Sequence, residues 1–529
     1  VPLPEGGSWP PKDFAPAFES MREWGAWYSG DPDDLETIYT RLGSRMVNHP
    51  NVRPSQLRGG VVGTLARFFW GQPVVPGEKR TKLHVPVAAD IATTSADLLF
   101  SEPITVTSDD KAAQTQLDEL LSDDLHATLL ESAEIAAAKS GVYLRVVWDK
   151  DVNPAGPWLS AVHADAAIPE WRYGRLAAVT FVRQLACDAQ IVVRHLERHE
   201  MVKGQGVILH GVYEGTETDL GRAVPLADYP ETADLADVVN AQGAIATGID
   251  QLTAVYVPNI RPNRLWPHLP ACSPFGRSDF ASTEPLMDAL DETYTSWMRD
   301  LRLAKARIIA PEAFLQDRGP GRGALFNPDR EIYEGLGMIP ATDGSTQLTL
   351  QQFAIRVEEH ERTSLNFVGR IVTTAGYSQQ TFGMAGDVAI TATEVAAKER
   401  KSLITRDKKV KYFRPRLAEI LQALLKVGTV HFGWKLDASA APTVTFPDAV
   451  QQDVASLAQT LAQLEAARAA STETKVRMLH PEWADSEVRE EVARIQKEAG
   501  PAQVENPDTF TGDPGDDDPA EPDEPPAEK

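Results

Sequence analysis

Apolar residues at Leu286, Leu290, Tyr294, Trp297, Leu301, Ala304 and Ile308 follow one another at steps of 4, 4, 3, 4, 3 and 4. That spacing lines one face of a long helix and does not fit the two-residue period of a strand. Ser282 or Thr283 can cap its start and Pro285 suits its first turn, so a helix from Glu284 to Arg307 is expected, about 36 Å long. A second stripe, Phe353, Val357, His360, Ser364, Val368 and Ile371, predicts another helix. Between them, Gly319-Pro320-Gly321-Arg322-Gly323, Asn327-Pro328-Asp329 and Asp343-Gly344 break the pattern into a compact, turn-rich insertion. Long helices with one apolar face and no evident cover in their own chain imply burial against neighbouring copies, and a closed ring satisfies every copy.

With 529 residues the chain is long enough for several packed units. Residues 13–46 carry two short amphipathic helices, around Phe18–Trp24 and Leu35–Tyr39, separated by Gly30-Asp31-Pro32. Ala88–Leu99 and Leu125–Ser140 read as further helices, the second stopping at Gly141. Runs rich in β-branched and aromatic residues follow at Val142–Trp148, Leu159–His163, Leu176–Leu185, Ile191–His199 and Val207–Tyr213, with no helical pattern between them. They predict an antiparallel meander, and residues 1 to about 275 an α+β unit.

After the second long helix, Ala375-Gly376-Tyr377-Ser378-Gln379-Gln380-Thr381-Phe382-Gly383 forms a polar, uncharged loop bracketed by glycines. Thr391–Val427 then reads as one long helix that Pro415 should kink, and Val430–Lys435 and Thr443–Phe446 as strands. Val450, Val454, Leu457, Leu461 and Leu464 mark a helix; Val488, Val492 and Ile495 mark another, closed by Gly500-Pro501. From Pro501 the chain has seven Pro and almost no apolar side chains, too few to order it by burial.

The formal charge is −24, of which ten acidic residues against one Lys place −9 in residues 501–529, leaving the body at −15. A broad DNA-gripping surface needs Lys and Arg and is not expected, whereas a channel through which DNA slides is compatible with this balance. The two cysteines, Cys187 and Cys272, lie far apart outside any metal spacing and read as reduced. No apolar run approaches the 18 residues of a membrane span, and Val1–Gly7 lacks the basic and apolar regions of an export signal, so neither membrane insertion nor that route is expected.

Few motifs carry chemistry. The glycines at 319–323 match neither the phosphate loop nor the dinucleotide fingerprint, and no nucleophile, zinc or paired-acid signature occurs, so no cofactor, no metal and no enzyme activity are expected. His195, Glu197 and His199 alternate along a strand, with His210 on the next. A partly exposed strand face, with Arg194 and Arg198 opposite, accounts for them more simply than a metal site. Lys398, Arg400, Lys401, Arg406, Lys408, Lys409, Lys411, Arg414 and Arg416 gather positive charge on the long helix. Lys401, Arg406, Lys408, Lys409 and Lys411 are candidate contacts to DNA phosphates or, in preference, to carboxylates of a neighbouring subunit.

The loop Ala375–Gly383 with Ile390-Thr391-Ala392-Thr393-Glu394-Val395 resembles the tunnel-loop region of tailed-bacteriophage portal proteins of the siphophage type. Leu83-His84-Val85-Pro86 with Ala89-Asp90-Ile91 and Ser95–Leu99, His195–His199, Gly276-Arg277-Ser278-Asp279 with Leu286–Asp291, and His480-Pro481-Glu482-Trp483 extend the likeness over most of residues 15–500. It implies an α+β portal fold. Residues 1–278 would form an N-terminal wing region, 279–310 the first stem helix, 311–350 the clip and 351–375 the second stem helix. Residues 376–389 would form the tunnel loop, 390–446 the kinked helix and C-terminal wing, 447–500 the crown, and 501–529 a disordered acidic tail. The resemblance further implies a homo-oligomeric ring, a dodecamer, at the capsid portal vertex of the virion, assembled in the host cytoplasm. Double-stranded DNA would pass through it during packaging, retention and ejection. Terminase, major capsid protein and head-tail adaptors would be its partners, with Gln379, Gln380, Thr381, Phe382 and Met384 facing the channel. A DNA-processing or packaging enzyme, or a capsid scaffold or adaptor without a channel, are the alternatives; the first lacks its phosphate loop and acidic pair, the second would lack the paired helices.

Overall fold

The structure, a computed structural model, describes residues 2–47, 81–121, 123–188, 191–303, 307–309, 316–317, 324–325, 349–351, 355–384, 392–447, 454–480 and 485–498. It divides into two units, residues 1–449 and 450–529.

The first unit begins with α1 (Ala15–Ser29) and α2 (Pro32–Val47), the expected pair. Gly30 separates them at φ 68°, and Asp31 Oδ1 accepts the N–H groups of Asp33 and Asp34 at 2.9 and 3.1 Å, capping α2. There follow α3 (Val87–Phe100), β1 (Thr105–Thr107), α4 (Lys111–Leu120) and α5 (Asp123–Lys139). Gly141 is not the stop of α5: Ser140 takes the left-handed turn at φ 92°. Gly141 opens the next strand against the Tyr256 hydroxyl, where a Cβ would collide.

The expected meander divides into two sheets. β2 (Gly141–Val147), β3 (Trp158–His163) and, far along the chain, β10 (Ala254–Pro258) form one, in the order β10-β2-β3. β2 lies against α5 and is buried along nearly its whole length, so apart from Arg145 its side chains are apolar on both faces. β4 (Ala167–Arg172), β5 (Arg175–Cys187), β6 (Val192–Val202), β7 (Gln205–Gly215) and β8 (Arg222–Val224) form the other, with β9 (Ala244–Ala246) paired to β7. β4 carries Pro169, which hides it from a reading of strand propensity, and the sheet tolerates it because β4 is an edge strand. The short helix α6 (Pro230–Val238) lies between β8 and β9.

The first long helix, α7 (Glu284–Leu303), is shorter than expected. Arg307–Ile309, β11, has left the helix and pairs antiparallel with Thr349–Gln351, β14, so the β-branched end of the stripe closes the insertion as a ladder. Within the insertion, Gln316–Asp317 (β12) pairs with Ala324–Leu325 (β13). The second long helix, α8 (Val357–Ala375), packs along α7. α9 runs unbroken from Ala392 to His431 through Pro415. The strand expected at 430–435 is absent: Gly433 turns at φ 71° and Trp434 N–H returns to Gly428 O at 3.3 Å. β15 (Thr443–Thr445) pairs with β1.

Among the described residues a small apolar cluster, of Leu196, Tyr213 and Leu220, and two large ones hold this unit. One gathers Trp24, Trp27, Tyr143, Phe275, Phe280, Leu290, Ile371 and Tyr377; the other joins Phe100, Leu144 and Val257 to Phe413, Leu417, Ile420 and Leu424 of α9. The second unit contains α10 (Val454–Ala466), α11 (Thr472–Leu479) and α12 (Asp485–Glu498). α11 was not expected; Ser471 caps it by accepting the Thr474 N–H at 3.2 Å. Residues 501–529 lie outside the described residues.

Candidate functional site

Four segments far apart in sequence meet where α8 ends. Gly376, at φ 106°, closes α8 in the left-handed conformation that a Cβ resists, and Tyr377 N–H bonds Val372 O at 3.1 Å. The turn drives the Tyr377 ring inward. Its hydroxyl donates to Asp279 Oδ2 at 2.6 Å, and Lys409 Nζ from α9 lies 2.5 Å from the same oxygen. Asn259 Nδ2 donates to Asp279 Oδ1 at 2.7 Å, and Lys409 also donates to Ser95 Oγ of α3. All five side chains are buried. Burial pushes the Tyr377 hydroxyl well up, so it remains a donor. It also pulls the Lys409 ammonium down, against the opposing pull of Asp279.

The loop beyond Tyr377 continues to lean on α9. Ser378 N–H and Thr381 Oγ1 meet Ser402 Oγ at 2.9 and 2.8 Å, Thr405 Oγ1 donates to Gly376 O at 2.6 Å, and the Phe382 ring stands edge-on to Tyr377 at 6.2 Å. Gln380–Phe382 is a 3-10 turn. Gln379 is exposed, while Gln380, Thr381, Phe382 and Met384 are half-buried. The described part of the loop is thus a docked turn; 385–389 lie outside the described residues.

The helices that carry this loop are clasped to each other and to the N-terminal region. Asp291 of α7 takes Tyr39 Oη at 2.7 Å and Val85 N–H at 2.9 Å, and Asp288 takes Lys82 at 2.7 Å. Farther along, Trp297 stacks on His360 with ring centroids 5.8 Å apart, and Asp300 meets His360 at 3.0 Å and Arg356 at 2.8 Å. Apolar side chains nevertheless stand out beside this clasp: Met298, Leu301, Val357 and Leu365 are 39, 41, 43 and 54 % exposed.

The family described as "Phage portal protein, SPP1 Gp6-like" matches residues 75–505, more than half of the chain. The chain belongs to the phage portal protein family. Its role is that of a portal, the connector of head and tail in a phage particle, and the family is a structural one. No curated protein is significantly similar in sequence. Among solved structures, the chain is similar to one in "Neck of native GTA particle computed with C12 symmetry", at 13 % identity and a TM-score of 0.37, covering 81 % of this chain and 92 % of that one.

Within this portal subunit the basic run of α9 divides by helix phase. Lys401, Lys408 and Lys411 are exposed, and Lys401 Nζ donates to Thr373 O. Arg406 and Lys409 are not surface cations, contrary to expectation. Arg406 donates to Leu98 O at 2.7 Å and to Pro447 O, and Lys409 is sealed against Asp279. Carrying the buried phase of Phe413 and Leu417 back by one turn lands on Lys409, and one more step of three on Arg406. That phase was the available signal. Asp279 and Tyr377 lie in segments that carry the portal likeness, but their joining to Lys409 and Asn259 has no local signal in the sequence and was missed.

The six-stranded sheet holds a second, largely buried network. His195 Nε2 lies 3.2 Å from His210 Nδ1; Glu197 accepts from His199 at 2.7 Å and from Arg145 at 2.5 Å; His199 Nδ1 lies 2.6 Å from Thr253 Oγ1. The expected half-exposed face is in fact buried at His195, His199 and His210, and Arg145 of β2 reaches across to Glu197. Burial pushes His195 down and His210 down to about 4. Burial alone would raise Glu197, but its bonds to His199 and Arg145 outweigh this and hold its carboxyl far below the usual range. Among the described residues no group of three or more such side chains is arranged to hold a metal ion, and no helix is long and apolar enough to cross a membrane.

Proposed function

We propose that twelve copies of this chain close into a ring at the capsid portal vertex, through which double-stranded DNA is packaged, retained and ejected. The observation that carries this reading is the set of exposed apolar side chains on the paired helices, Met298, Leu301, Val357 and Leu365. An acidic chain gains nothing from leaving them in water, and a neighbour presenting the same helices covers them in every copy of a closed ring. In this reading α7 and α8 are the stem, residues 311–350 the clip, 376–389 the tunnel loop, α9 the long wing helix and 447–500 the crown. Terminase, major capsid protein and head-tail adaptors are the partners, and assembly takes place in the host cytoplasm. Exposed Lys401, Lys408 and Lys411 face carboxylates of a neighbouring subunit.

The loop supports the channel role through its chemistry. Neutral Gln379, Gln380, Thr381, Phe382 and Met384 touch a passing duplex without the grip that Lys and Arg exert through counterion release. Gln379→Lys with Gln380→Lys is expected to slow or stall packaging while rings still form and enter capsids. Electron microscopy of the purified protein should show rings with a central hole. Normal packaging by particles confirmed to carry both lysines would remove this loop from the channel.

A further inference from the structure

Like charges face one another at one end of the six-stranded sheet. Arg172 of β4 and Arg175 of β5 are direct cross-strand partners, and the register Ala178↔Glu200, carried three residues onward, sets Arg175 level with Lys203. Such pairs destabilise a sheet. All three cations are exposed and form no ion pair among the described residues, while the nearby carboxylates Glu170 and Glu200 are held by Arg198 at 2.7 Å. The turns that present them are strained as well. Tyr173-Gly174 joins β4 to β5 at φ 50° and 77°, and Lys203-Gly204 joins β6 to β7 at φ 51° and 84°. Asn or Asp before Gly is favoured in such turns, yet Tyr173 stands there with its ring fully exposed.

The far edge of the same sheet carries the opposite charge. There α6 follows β8, with Glu231, Asp234 and Asp237 exposed along it, Asp228 exposed in the 3-10 turn before it, and Val238 65 % exposed at its end. Thr232 Oγ1 donates to Leu226 O at 2.7 Å and the Tyr229 hydroxyl to Glu214 Oε1 of β7 at 2.8 Å, so turn and helix are fixed to the sheet. None of the four exposed carboxylates forms an ion pair among the described residues. The order β4-β5-β6-β7-β8 sets the two edges about 19 Å apart by strand spacing.

On the basis of the ring reading above, we propose that the double hairpin tip of one copy docks on α6 of the next. Three unpaired cations then meet four unpaired carboxylates, and Val238 covers the Tyr173 ring. Carboxylates brought between Arg172, Arg175 and Lys203 offset a repulsion that a single copy leaves unrelieved. The two patches differ and sit at different edges, so the contact is heterologous and repeats in one sense around a closed ring. DNA phosphates would also meet the cations, but would leave the carboxylates of α6 without a partner.

The test is carbodiimide cross-linking of rings co-assembled from unlabelled and isotope-labelled full-length chain, read by mass spectrometry. Lys203 of one label should join Glu231, Asp234 or Asp237 of the other, with the yield falling at least about fivefold in 1 M salt and in the Arg172→Glu/Arg175→Glu variant. Tyr173→Asn should lower the same yield severalfold while raising Tm on the order of 1 °C, since Asn relieves the left-handed turn. A mixture makes the stricter control. Arg172→Glu/Arg175→Glu and Glu231→Arg/Asp234→Arg chains each repel their own kind, but alternating copies restore opposite charges at every contact. The mixture should therefore assemble at a concentration about fivefold below that of either variant alone. Circular dichroism should confirm that all variants fold. Rings in which Lys203 joins only other carboxylates, a yield indifferent to the charge reversals, or a mixture no better than its parts would overturn the contact and leave the ring standing. A cross-linked pair of subunits that never grows larger would keep the contact and remove the ring; a chain that stays monomeric would remove both. Salt-dependent binding of a short DNA duplex, abolished by Arg172→Glu/Arg175→Glu and without the cross-link to α6, would assign the tip to nucleic acid instead.

Discussion

The root of the loop and the middle of the paired helices sit on the same elements but are finished in opposite ways. At the root, every polar group of Asp279, Tyr377 and Lys409 finds its partner within one chain and water is excluded. Along the helices the clasp of Asp300, Arg356 and His360 is half wet, and Met298, Leu301 and Leu365 project outward. The first arrangement is complete in a single copy. In the proposed ring the second is completed by another copy, and the contrast teaches which part of the molecule folds alone and which waits for assembly.

The contrast can be broken most forcefully at Lys409. Lys409→Met alone leaves Asp279 charged and buried, and should destabilise the first unit by about 3–5 kcal/mol in guanidinium unfolding. Lys409→Met with Asp279→Leu removes both charges and should recover much of that loss. A small effect of the single change would mean that water reaches the root.

A somewhat smaller effect is expected in the six-stranded sheet. His210 charges near pH 4 when folded and near 6.5 in its ordinary state, so the unfolded chain binds more protons between these values. The stability it contributes is therefore full above about pH 6.5 and falls as the pH drops toward 4, by on the order of 3 kcal/mol. Glu197, also held low, adds a loss of the same sign at lower pH. His210→Gln should flatten the fall between pH 6.5 and 4 in urea unfolding; an unchanged slope would place the acid response elsewhere.

The smallest effect belongs to the exposed clasp. Arg356 is mostly in water, and Arg356→Ala should cost less than about 1 kcal/mol in unfolding of the isolated subunit. A loss comparable to that of Lys409→Met would show the clasp to be a closed structure already, and would erase the contrast.

What could be read beforehand divides along the same line. The stripes of α7 and α8, the Gly30 break and the β-branched strands were legible because each follows from a local period or turn preference. The end of α7 was misplaced because Ile308 fits the helix stripe as well as the strand it joins, and only pairing with Leu350 decides between them. The division of the sheets was hidden because β10 reaches β2 across more than a hundred residues. The root was hidden for the same reason: Asp279, Tyr377 and Lys409 come from three segments, and a lysine count cannot distinguish Lys409, facing Asp279, from Lys408, facing water.

In the proposed ring, neighbouring copies cover the outward apolar residues of α7 and α8. Mass measurement under native conditions, on the wild type and on the Leu301→Asp/Leu365→Asp variant, tests it. The wild type should give a species of about twelve subunits, and the variant a folded single subunit whose first unit melts as in the wild type. A wild type that stays monomeric over a wide concentration range, or a variant that still assembles to the same mass, would contradict it.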